Sequence, residues 1–312
     1  MSAPFWSNVK LVVLGSGGSW PSRERNTVAV ALKLDGEVLL FDCAEGTQRQ
    51  FMLSSLSFMQ VQRILLSHLH GDHFLGLPGL VETMALNDRR EGLHIYGPPG
   101  TSERLRRLFS SGYFSASFPI ALSDMKGGDT VDCGRYRITA AEASHNVPSL
   151  AYAVEEKERP GRFDLEKARA LGIPEGKIYH RLQSGETVVL RGKRFTPDMV
   201  LGPPRRGRKI VYTGDTSPCR AVEELARGAD VLLHDATSDD SLAEKANRYG
   251  HSSAAQAAET ARKAGAGTLI LLHISPRYRQ EDWPRLLEEA RRVFPSTILA
   301  SDLMELEVPL PE

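Results

Sequence analysis

An α/β protein built as a layered αββα sandwich, two sheets faced by helices, is the fold class the sequence predicts. Hairpin signals dominate the N-terminal half, whereas strand and helix alternate through the C-terminal half. Four short apolar runs, at 64–68, 210–215, 231–235 and 269–273, each close in an Asp or a His. Strands of α/β sheets present functional groups beyond their carboxyl ends. Four such ends therefore point to a shared site at one edge of the sheet.

In chain order, residues 9–14 read as a strand. Two apolar runs, 27–34 and 37–42, flank Asp35-Gly36, a turn dipeptide, and so form a hairpin. A short buried strand follows at 63–66, then helices at 78–86, with Pro78 at its start, and at 101–110. In the second half, helices are expected at 221–227, 241–248, 253–264 and 281–293, between the strand runs. Ser253 with Gln256 three residues on is a capping-box pattern.

The segment 155–209 breaks this rhythm. It is rich in Gly, Pro and charge, and from 167 to 209 it carries eleven cations against three acids. We read the chain as one domain, 1–312, with 155–209 as an inserted, projecting flexible arm. On charge alone the arm is equally a solvated face or a binding surface.

Composition narrows the function classes. The chain has 312 residues, and 39 Lys and Arg balance 39 Asp and Glu, which excludes a protein that is basic over its whole surface but not a local patch. A content of 41% hydrophobic residues suits an ordered globular protein. Three dispersed cysteines, Cys43, Cys133 and Cys219, form neither a thiolate zinc motif nor a disulfide framework. They favour a reducing compartment. With no membrane-length apolar run and no basic-then-apolar leader pattern, a cytoplasmic location is expected.

The chemistry concentrates in His68, His70, Asp72 and His73, with Gly71 at the bend. Imidazoles with carboxylates suit zinc, manganese or iron. His68 and His70 alternate and share a side; Asp72 and His73, past the bend, face a second position. His145, Asp215 and His273 are further candidates, and five His with two Asp suit two metals sharing one carboxylate. His234 reads as a buried strand-end residue, and His94 and His180 as structural or surface ones. Ser16-Gly17-Gly18 lacks the following helix that a phosphate loop needs, and reads as a turn beside the metal site.

These motifs resemble the metallo-β-lactamase superfamily, and more closely the RNase Z family of tRNA 3′-processing endonucleases in its short form. The resemblance rests on the segments 14–20, 41–50, 67–79, 212–216, 234–237, 250–253 and 272–278, which cover nearly the whole chain in family order. It implies a four-layer metallo-β-lactamase sandwich with two zinc ions per subunit. His68, His70 and His145 would hold one and Asp72, His73 and His273 the other, with Asp215 bridging. A hydroxide between the metals would attack the phosphodiester after the discriminator base of precursor tRNA. The products would be a tRNA 3′-hydroxyl and a trailer 5′-phosphate. His251, supported by Asp235, would protonate the leaving group; the family usually carries Glu at the latter position. Read from its own residues, His251 is either that donor or an ordinary helix-start residue. The arm would grip the tRNA body, with Lys177 and Arg181 as candidate contacts. It lacks the family's usual Gly-Pro step. Arg277 is either a phosphate contact near the site or a helix-start ion pair. The resemblance also implies a homodimer.

Two other readings compete. A hydrolase of a small phosphodiester or sulfate ester on the same scaffold would need no basic arm. An RNA-binding protein with a purely structural metal would need four ligands in a closed site, whereas seven candidates with a bridging position are available.

Overall fold

A computed structural model describes residues 8–112 and 116–311. The first sheet is built by β1 (Val9–Gly15), β2 (Ala29–Leu34), β3 (Glu37–Phe41), β4 (Val61–Leu65), β5 (Leu93–Gly97) and β6 (Ile120–Asp124) in sequential order. The hairpin at Asp35-Gly36 forms as expected, with Leu34 opposite Glu37. From β3 to β6 the strands run parallel. Connecting helices α1 (Thr47–Leu53), α2 (Gly71–Phe74), α3 (Leu77–Leu86) and α4 (Thr101–Phe109) supply the crossovers that parallel pairing needs.

The second sheet begins with β7 (Thr130–Asp132), β8 (Tyr136–Glu142) and β9 (Leu150–Glu156). The chain then leaves it for α5 (Leu165–Ala170), α6 (Lys177–Gln183) and a separate hairpin, β10 (Val188–Leu190) with β11 (Lys193–Phe195). It re-enters at β12 (Lys209–Tyr212), where Lys209 lies opposite Glu155. After α7 (Arg220–Ala226) come β13 (Val231–Asp235), α8 (Ala243–Arg248), α9 (Ala254–Ala264), β14 (Thr268–Leu272), α10 (Trp283–Val293) and β15 (Thr297–Leu299). β12 to β15 are parallel. Finally β16 (Glu305–Glu307) crosses back to pair with β1, tying the two sheets together.

Alternation places every second strand residue in one of two layers. Leu11, Val13, Leu32, Phe41, Tyr152, Ile210, Leu233 and Ile270 interlock between the sheets. Val12, Leu14, Leu40, Ile64 and Ile95 face the first helical layer with Leu77, Leu80 and Leu105. On the other side Val211, Leu232 and Leu271 meet the small residues Ala254, Ala257, Ala258 and Ala261 of α9. The result is the four-layer αββα sandwich. Ser253 and Gln256 exchange hydrogen bonds at the start of α9, the capping box read from sequence.

Between β9 and β12 the segment carries an apolar cluster of its own: Ala168, Ile173, Leu182, Val188, Phe195 and Val200. Its neck is narrow. The backbones of Gly161 and Gly202 touch so closely that a Cβ on Gly161 would sit 1.9 Å from the Gly202 carbonyl oxygen. Below that crossing, Glu156 and Arg208 form a buried ion pair at 2.9 Å. Cations and acids also pair along the segment: Arg169 with Glu175, Arg181 with Glu186, Arg206 with Asp230.

Candidate metal centre

The expected strand ends converge, with one correction. They belong to two sheets, not to one edge of a single sheet. His68 follows β4 in the first sheet, while Asp215, Asp235 and His273 follow or end β12, β13 and β14 in the second. Both parallel segments point their carboxyl ends to the same side, and His145 joins them from the loop between β8 and β9. A second correction concerns Gly71. No special glycine turn bends the first motif; the single helical turn α2, entered from His70, carries Asp72 and His73 around.

Seven side chains meet there. One donor atom from each of His68, His70, His145 and Asp215 lies within 4.8 Å of the others, as do atoms from Asp72, His73 and His273. Asp215 Oδ2 stands 3.7 Å from His68 Nε2, 3.3 Å from His73 Nε2 and 3.4 Å from His273 Nε2. It is the common neighbour of both groups.

Outer partners aim the rings. His73 Nδ1 donates to Asp42 Oδ2 at 2.7 Å and His145 Nδ1 to the Gly250 carbonyl at 2.8 Å. His273 Nδ1 is 2.8 Å from Thr237 Oγ1, and His68 Nδ1 3.0 Å from Ser67 Oγ. Each ring thus turns its other nitrogen inward, the usual support of a metal-binding imidazole. Asp42 is itself held by the Ser67 N–H, the Ser67 hydroxyl and the Tyr212 hydroxyl. Ser19 N–H donates to Asp72 Oδ2 at 2.6 Å. The Ser16-Gly17-Gly18 turn therefore does lie beside the cluster. A Cβ on Gly18 would fall 2.4 Å from the His273 ring, so only glycine admits that ring. His273 and Asp42 adopt left-handed backbone, φ 59° and 54°, a strain found at functional positions.

The donor set fits cations. Asp215 Oδ1 is buried and has no hydrogen-bond partner among the described residues. His145 Nε2 approaches His70 Nδ1 at 3.2 Å although its proton is already committed to Gly250, so a lone pair faces inward. Burial and neighbouring imidazoles hold His68 well below its ordinary pKa, the neutral state a ligand needs. Burial lowers His70 and His145 as well. Burial also opposes charge on His73, yet Asp215 and Asp42 outweigh it and hold its pKa well above the usual range. The pocket is one that demands positive charge.

Beside this cluster, His251 Nδ1 lies 3.0 Å from Asp235 Oδ2. The shorter acid reaches the ring, and Thr216 N–H, Thr237 N–H and the Thr237 hydroxyl fix the carboxylate. Burial lowers the His251 pKa, but Asp235 and Asp215 more than reverse this, raising it to about 9. His234 is buried with Nδ1 on the Asp235 carbonyl, away from the donor groups. His94 and His180 are exposed. Lys177 and Arg181 stand far along the inserted segment on α6, where Arg181 is engaged by Glu186. Arg277 is exposed, bonds Ser275 and lines the cavity that His251 also lines; among the described residues it has no ion pair. Asp42, Thr237, Ser19 and the Gly250 carbonyl are functional contacts that the sequence reading did not assign.

Fold and cluster together define a class, and comparison agrees: a family model described as "Beta-lactamase superfamily domain" matches residues 38–167 and 198–274. Its gap falls inside the segment between β9 and β12. Ribonuclease Z of Methanosarcina acetivorans is 46% identical over 96% of this chain and 98% of its own length. That of Archaeoglobus fulgidus is 47% identical over 97% and 99%. The crystal structure of human tRNase Z, short form, superposes with a TM-score of 0.71 at 28% identity, covering 96% of this chain and 99% of the other. The chain belongs to the ribonuclease Z family, endoribonucleases of the hydrolase class.

Proposed function

We propose that this protein removes the 3′ trailer of precursor tRNA by metal-dependent hydrolysis, cutting after the discriminator base. The products are a tRNA 3′-hydroxyl and a trailer 5′-phosphate. The observation that carries this reading is the convergence of five imidazoles and two carboxylates around Asp215 in a ribonuclease Z chain. His68, His70 and His145 would hold one zinc ion and Asp72, His73 and His273 a second, with Asp215 shared. When bound, such a pair supplies a nucleophilic hydroxide near neutral pH and Lewis acidity toward the phosphate.

The remaining steps fall to the chain. Asp42, Thr237, Ser67 and the Gly250 carbonyl keep the ligand rings in register. His251, protonated and oriented by Asp235 through Nδ1, offers Nε2 as the proton donor to the departing 3′-oxygen. Arg277 attracts phosphate at the cavity rim. The segment 155–209 acts as the arm that holds the tRNA body by phosphate neutralisation, without reading sequence. Lys177 is one contact; so are Arg191, Lys193 and Arg194, three exposed cations at the β10–β11 hairpin without an ion pair among the described residues. Arg181 contributes less, because Glu186 already engages it.

A homodimer would present each arm to the other subunit's site. Exposed apolar side chains on or beside the first sheet's helices, Met52, Leu53, Leu75 and Leu86, suit such an interface. Three free cysteines suit a cytoplasmic location, and no helix among the described residues is long and apolar enough to cross a membrane.

The test is cleavage of end-labelled precursor tRNA with and without chelator, with product ends mapped to the nucleotide. A single cut at the discriminator, lost with chelator and restored by zinc or manganese, is expected. Hydrolysis of a small chromogenic phosphodiester without any tRNA cleavage would overturn the substrate assignment.

A further inference from the structure

A cavity of about 370 Å³ opens directly beside His251. That size is within the range of small-ligand clefts, roughly 300–1,000 Å³. Its wall holds two large aromatic side chains left in solvent: Trp20, 63% exposed, and Tyr249, 60% exposed. Lys245 and Arg277 supply cations, and none of its twelve lining residues is acidic. Such a surface favours a flat, aromatic, negatively charged ligand, which is a nucleotide.

Both aromatics are mounted on the metal centre itself. Trp20 directly follows Ser19, whose N–H holds Asp72, and its own N–H bonds the Gly18 carbonyl at 2.8 Å. Tyr249 directly precedes Gly250, whose carbonyl holds His145. Each aromatic residue is thus one position from a backbone group that aims a metal-site side chain. Neither ring fills a core, so neither is explained by packing.

We propose that Trp20 and Tyr249 form the stacking site for the unpaired base of the nucleotide that carries the departing 3′-oxygen, with Lys245 and Arg277 on its flanking phosphates. This rests on the trailer-cleavage reading above. The position follows from the chemistry: the proton donor must sit on the leaving-group side of the phosphorus, and His251 lines the same cavity as both aromatics. For precursor tRNA that nucleotide is the discriminator. Stacking accepts any base, since every base has a π-face. The site would therefore locate the end of the acceptor stem without selecting its identity.

The test compares two precursor tRNAs, one intact and one abasic at the discriminator, cleaved by the wild type, by Trp20→Ala/Tyr249→Ala, and by Trp20→Phe/Tyr249→Phe. Loss of aromatic stacking on one base corresponds to about a 10- to 100-fold effect. We expect a KM rise of that order, with kcat nearly constant, when either the base or the two aromatic faces are removed. Removing both should add less than about threefold, and the Phe pair should recover most of the loss. Equal losses on both substrates in the Ala pair, or a wild type indifferent to the missing base, would overturn the stacking site while leaving trailer cleavage intact. A wild type that cuts neither precursor overturns the trailer-cleavage reading and this site with it. Both side chains are exposed, so the variants should fold; equal thermal midpoints verify this.

Discussion

The metal cluster and the inserted segment use charge in opposite ways. In the cluster, Asp215 and His73 are buried, and four of the five imidazoles, those of His68, His73, His145 and His273, are aimed by an outer partner at hydrogen-bond length. In the segment, Arg191, Lys193 and Arg194 stand in solvent on a hairpin supported by a cluster of six apolar side chains. Buried charge is worth much and tolerates no displacement; exposed charge is screened and acts through its sum. Chemistry in the first region would therefore be a matter of position, and the proposed binding in the second a matter of count.

Five variants sharpen or break that contrast. The largest effect should come from Asp215→Asn. It removes the carboxylate common to both ligand groups, so cleavage should fall to the chelator-treated background and bound metal, read by atomic emission, should drop. Retained metal with full activity would contradict a shared role. His251→Ala should keep its metal yet lose about 10²- to 10⁴-fold in kcat on precursor tRNA. A phosphodiester whose leaving group is already a good one, such as nitrophenolate, should lose far less; equal losses on both would remove His251 from proton donation.

Asp42→Asn tests position at one remove. It touches no substrate, but it loosens His73, and losing a carboxylate that orients a metal-binding imidazole costs about 10- to 100-fold in metal affinity. Activity should return at high zinc, and failure to recover would point to a collapsed fold. The smallest effect belongs to the arm. Replacing Arg191, Lys193 and Arg194 together by Ala should leave kcat unchanged and lower the salt slope of tRNA affinity by about 2 to 3, at roughly 0.7 to 0.9 per lost phosphate contact. Arg181→Ala should shift it less than any one of them. A dominant effect of Arg181 would show that the pairing with Glu186 opens on binding.

Local features were legible in the sequence, and distant ones were not. The hairpin at Asp35-Gly36, the capping box at Ser253 and the run from His68 to His73 declare themselves within a few residues. The four strand ends were visible too, but their membership in two sheets was not, because periodicity says which residues are buried and not against what. Asp42 meets His73 across 31 positions, and Gly250 meets His145 across 105. Nothing in the spacing of one residue marks a partner so far away. The neck at Gly161 and Gly202 is similarly a tertiary contact. Charge counting found the segment's cations, yet only geometry separated Arg181, already paired, from the hairpin cations, which have no ion pair among the described residues.

The turn at 16–19 ties synthesis to activity. Its Ser19 N–H holds Asp72, its Gly18 makes room for His273, and Ser16 is anchored by Asp302, which also binds Asn26 and Gln50. A chain emerging from the ribosome N-terminus first presents His68 to His73 early, but the floor beneath Asp72 closes only after residue 302 has been made. A truncated or stalled product thus carries most of the ligands without their geometry.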